Sequence, residues 1–81
     1  MKRKATQLVN AVGWLERRNV EIKRVNAERA RPMLEIVAPC PDLVRRSKEI
    51  IETSNGSVRK AYTAMVQGCI IHWRAEVHYV H

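Results

Sequence analysis

All three prolines of this chain fall between residues 32 and 41, and they constrain its fold more than any other feature. A proline inside a helix removes one backbone hydrogen bond and clashes with the preceding turn, at a cost of about 3 kcal/mol. No helix can therefore run through the middle of the chain. Pro32 suits the start of an edge strand. Pro39-Cys40-Pro41 ends that strand and opens a helix at Pro41, with Asp42 in the first turn, where a carboxylate favours the helix dipole.

Ahead of the prolines, residues 5–18 carry Ala5, Leu8, Val9, Val12 and Leu15 at the three- and four-residue steps of an amphipathic helix. Trp14 falls off that stripe, beside the core or facing a partner. Arg17 and Arg18 lie in the last turn, and Asn19 is the stop. "VEIKRV" and "RPMLEIV" then alternate with the period of strands, Leu34 and Ile36 on one face and Met33, Glu35 and Val37 on the other. They read as an antiparallel pair.

Beyond Pro41, residues 42–53 read as a helix buried by Leu43, Val44, Ser47, Ile50 and Ile51. Asn55-Gly56 stops it, and Ser57 caps a last helix over residues 58–74. In that helix Val58, Ala61, Tyr62, Met65, Val66, Cys69, Ile70 and Trp73 form the stripe, with Met65, Val66, Cys69 and Ile70 buried. The expected fold is a small single α+β domain over residues 1–81, in the order α-β-β-α-α, with a β-hairpin packed against helices.

Eighty-one residues bury roughly 60–65% of the surface of the unfolded chain, which leaves little room for an enclosed substrate pocket. A binding protein is expected rather than an enzyme. Fifteen Lys and Arg against eight Asp and Glu give a net charge of +7, which favours polyanionic partners. Two helices joined by a Gly-containing turn match the outline of a helix-turn-helix. The second helix would turn Arg59, Lys60, Thr63, Gln67 and Arg74 away from its apolar stripe, and Arg and Gln are side chains that read guanine and adenine. Arg45, Arg46 and Lys48 on the first helix would meet phosphates. The expected partner is nucleic acid, DNA ahead of RNA. The alternative is an inhibitor or adaptor that meets an acidic protein surface.

The C-terminal quarter is rich in apolar side chains, so an interface using Trp14, Ile71 or Tyr79, such as a homodimer, is a further option. Cys69, His72, His78 and His81 are chemically sound zinc ligands, but Cys69 sits in the apolar stripe and the spacing between the pairs is too short for known fingers. No metal or cofactor is expected, and no catalytic set stands out. Two cysteines without a signal-peptide pattern point to a reduced, cytoplasmic setting. No apolar stretch approaches the roughly 20 residues that span a bilayer, so no membrane partner is expected.

Overall fold

The computed structural model describes residues 4–28, 30–54 and 56–74. The elements run α1 (Lys4–Glu16), β1 (Ile22–Asn26), β2 (Met33–Ile36), α2 (Pro41–Arg46), β3 (Lys48–Ser54), β4 (Ser57–Val66) and β5 (Cys69–Arg74). The strands form one sheet in the order β1-β2-β5-β4-β3. Two antiparallel blocks, β1-β2 and β5-β4-β3, meet where β2 and β5 lie parallel.

The first half follows its local chemistry. Asn19 stops α1 in the left-handed conformation, with φ of 57°. The Asn19 N–H donates to the Glu16 carbonyl and the Val20 N–H to the Leu15 carbonyl, each at 3.0 Å. Those two bonds satisfy carbonyls that the helix end would otherwise leave unpaired. α1 does not bury the whole predicted stripe. Ala11, Trp14 and Leu15 go inside with Leu8 and Val12 beside them, whereas Val9 is 70% exposed and Ala5 is exposed. Trp14 is thus a core residue, covered by the Arg18 guanidinium 3.7 Å from its ring centroid. Arg18 Nε also donates to Asp42 Oδ2 at 3.2 Å, which ties the end of α1 to α2. The two expected strands pair antiparallel, and Leu34 and Ile36 are buried as their alternation requires.

The second half overturns the α-β-β-α-α order. α2 begins at Pro41 but ends after six residues. Ser47 is extended, and its hydroxyl donates to the Val44 carbonyl at 2.7 Å. The residues expected to extend that helix form β3, so Ile50 and Ile51 are exposed rather than buried. The last helix is absent. Residues 57–66 and 69–74 are β4 and β5 of a meander.

The physical reason lies in two tight turns. Ser54 pairs with Ser57, so a tight turn that holds Gly56 at φ of 78° joins β3 to β4. Val66 pairs with Cys69 across Gln67 (φ 51°) and Gly68 (φ 81°). Two consecutive positive φ values are the geometry that matches the twist of paired strands. Gly56 thus lies in a hairpin turn here, not at a helix stop, and Ser57 opens a strand rather than capping a helix. The β-branched and aromatic side chains that follow suit a pleated surface.

Alternation then sorts the side chains. Tyr62, Ala64, Val66, Cys69, Ile71 and Trp73 face α1 and join Leu34, Ile36, Leu15 and Trp14 in one core. Tyr62 and Trp73 are cross-strand partners with rings stacked at 5.9 Å. Trp14 and Ile71, for which an interface is the alternative to the core, are buried in this core; Tyr79 lies outside the described residues.

Candidate binding face of the sheet

The face of the sheet turned away from α1 has no helix on it among the described residues. Its residues follow from register. Arg24 lies opposite Glu35, Glu35 beside His72, His72 opposite Thr63 and Thr63 opposite Lys48, so one polar row crosses all five strands. The next row is Asn26, Met33, Ile70 and Met65. Together with Ile50, Glu52, Arg46 and Arg74 these line an open groove of about 860 Å³.

A β-bulge sets one end of the polar row. Ile22 pairs with Ile36 while Arg24 pairs with Glu35, which leaves Lys23 as an extra residue on β1. Without it Ile22 and Arg24 would share a face. The bulge lets Ile22 pack against the core and turns Arg24 onto the open side. Such bulges re-aim side chains.

At the centre is a charge cluster. The His72 side chain is 10% exposed, and its Nε2 lies 3.1 Å from Glu52 Oε1. A carboxylate can only accept, so His72 carries a proton on Nε2. Arg74 Nη2 donates to Glu52 Oε2 at 3.4 Å, and Arg74 Nη1 is 3.5 Å from Glu35 Oε1. The hydrogen bond from His72, aided by the charge of Arg74, holds the Glu52 carboxyl below the usual carboxylate range against the opposing effect of partial burial. Both carboxylates of the groove are therefore used internally. Arg24, Arg46 and Lys48 make no ion pair among the described residues.

The eight residues expected to bind nucleic acid do not form one surface. Arg46, Lys48, Thr63 and Arg74 line the groove. Arg59 lies further out on the β3-β4 hairpin, opposite Glu52. Lys60 is on the other face, 3.9 Å from Glu49. Arg45 pairs with Asp42 at 3.5 Å on α2, and Gln67 sits in the β4-β5 turn. The helix-turn-helix outline is a β-hairpin, so no recognition helix presents Arg59, Lys60, Thr63 or Gln67.

Sequence reasoning missed His72, Glu52 and Arg24 as groove residues. The signal that could have found the first two was the pair of tight glycine turns, at Gly56 and Gly68, which sets the strand register. Cys69 and His72 are three residues apart on one strand and so face opposite sides, Cys69 in the core and His72 in the groove. Burial pushes the Cys69 thiol up, which makes it a poor nucleophile or ligand. His78 and His81 lie outside the described residues. No helix is long and apolar enough to cross a membrane among the described residues.

Among the described residues the sheet is covered on one side and carries a mixed apolar and charged groove on the other. The chain belongs to the Kil protein family, whose sequence profile matches residues 1–74. Kil is a phage-encoded host-killing protein. No curated protein and no solved structure matches the chain.

Proposed function

We propose that this Kil-family protein is a non-enzymatic inhibitor that binds a host protein, in the cytoplasm, through the open face of its sheet. The observation that carries this reading is the composition of the groove. Met33, Ile70, Met65 and Ile50 form an apolar floor between charged side chains, several of which are already paired. Protein interfaces combine apolar cores with polar rims in this way. A host-killing family is the setting in which a small inhibitor is useful. Catalysis is disfavoured because no nucleophile is hydrogen-bonded to His72 among the described residues. Cys69 is on the other face, and Thr63 makes no hydrogen bond to His72 among the described residues.

One observation favours nucleic acid as the second reading: Arg24, Arg46, Lys48 and Arg74 share the groove. Against it, single strands bind by stacking on aromatic side chains, and Tyr62 and Trp73 face the core instead.

Growth of the host during expression tests the first reading. Met65 is 41% exposed, so Met65→Glu is expected to abolish killing with the melting temperature nearly unchanged. Killing that survives both Met65→Glu and Ile70→Glu would overturn it. A titration with random duplex and single strands tests the second: six phosphate contacts would lose about a thousandfold in affinity between about 50 and 200 mM salt. No binding at the lower salt removes that reading.

A further inference from the structure

Taking the open face as the binding surface, which is the reading just proposed, we infer that its occupant is an acidic amphipathic helix of the partner protein. The helix lies across the strands, with carboxylates at its two ends over Arg24 and Lys48 and apolar side chains over Met33, Ile70 and Met65.

Charge selects an acidic partner. Glu35 and Glu52 already serve Arg74 and His72. Among the groove-lining cations, those without an ion pair among the described residues are Arg24 at one end of the polar row and Lys48, with Arg46 nearby, at the other. A ligand that buried these groups without supplying negative charge would leave them desolvated and unpaired, which is costly. The apolar row beside them demands more than charge. A phosphate or a purely acidic chain would leave Met33, Ile70 and Met65 facing water, so the partner must offer an apolar stripe as well.

Length and backbone chemistry select a helix. Arg24 and Lys48 are the first and last members of a five-strand row, four interstrand steps apart, or about 19 Å at about 4.8 Å per step. A helix covers that distance in about 13 residues at about 1.5 Å each. The other face already takes a helix of that size, since α1 has 13 residues. An extended segment laid on the face of a sheet, rather than along its edge, would find no backbone partners for its N–H and C=O groups. A helix satisfies its own. Docking would add a second helical layer to a sheet that has one among the described residues.

A second copy of this chain fits poorly. Its net charge is +7, and its α1 carries one carboxylate, Glu16, against the two ends that need one.

The test is a selection from a display library of random peptides of about 15 residues, long enough for the helix that the groove requires. The probe protein is the full chain. Enriched peptides are expected to carry net negative charge, with Asp or Glu near both ends and apolar residues at helical spacing. They should gain helical circular dichroism on binding and lose binding to Met65→Glu. The double variant Arg24→Glu/Lys48→Glu should weaken them by about tenfold or more, since close charge pairs across an interface couple strongly. Exchanging the terminal acids of the peptide for Lys should recover binding to that variant. Enrichment of basic or neutral peptides, alternating sequences that stay extended, or indifference to the double variant would overturn the inference. Those results, with killing still lost in Met65→Glu, would leave the protein-binding reading standing on a different partner. Killing that survives Met65→Glu and Ile70→Glu would remove both.

Discussion

The two faces of this sheet are built from the same strands, often from neighbouring residues, yet they serve opposite ends. On the covered face Leu34, Ile71, Cys69 and Val66 are at most 2% exposed beneath α1. On the open face the next residues along each strand, Met33, Ile70, His72 and Met65, line a groove. Core positions are held by close packing, so a change of one methylene is felt. Groove positions touch solvent and can vary more freely for stability. The lesson is that the identity of a single apolar residue does not report its face; strand register and the cover of α1 do. Ile70 and Ile71 are adjacent and chemically identical, and one is core while the other lines the groove.

The largest test of that contrast is a pair of truncations. Leu34→Ala on the covered face should destabilise by about 2–5 kcal/mol, as large-to-small changes in a closed core do. Met65→Ala on the open face should cost roughly 1 kcal/mol or less, in the range of surface changes. Urea denaturation of both variants measures the difference, and equal losses would mean the open face is packed in solution.

A smaller effect is expected where the covered face meets the β4-β5 turn. Gly68 has φ of 81°, and a Cβ there would approach Gln7 Nε2 to 2.6 Å. The side chain of Gln7 can swing away, so the conformational strain dominates. Gly68→Ala should cost about 1–2 kcal/mol, the penalty for a left-handed residue with a Cβ. A midpoint unchanged from wild type would show that the turn adopts another geometry.

The smallest effect belongs to the open face and depends on pH. Glu52 has its carboxyl lowered by His72 and Arg74. A lowered acid contributes stability in full above its unfolded value, about 4.3 for glutamate, and loses it as the pH falls through the lower folded value. Thermal melts should therefore show wild type losing stability faster than Glu52→Gln below about pH 4. Parallel curves would place Glu52 in solvent, apart from His72. Above that range Glu52→Gln should be slightly less stable, because a neutral amide replaces the anion between His72 and Arg74.

Local chemistry by itself determined the first half of this protein. The steps of Leu8, Val12 and Leu15, the left-handed preference of Asn19, the alternation around Leu34 and Ile36, and the start of a helix at Pro41 each depend on neighbours within a few residues. The net charge of +7 was likewise legible. The second half was not, because apolar residues lie on both faces of β4 and β5 and so satisfy helical and strand periods at once. Val66 and Cys69 fit either pattern; Met65 and Ile70 fit only the helical stripe, and they line the groove. Tertiary structure decided between the patterns. Two tight turns and a parallel contact with β2 supplied hydrogen-bonding partners that a lone helix would not need. The same pairing brought Glu52 to His72, 20 residues away, and Glu35 to Arg74. No local periodicity encodes such contacts, since they depend on strand register, and register is set by turns and by the packing of the whole sheet.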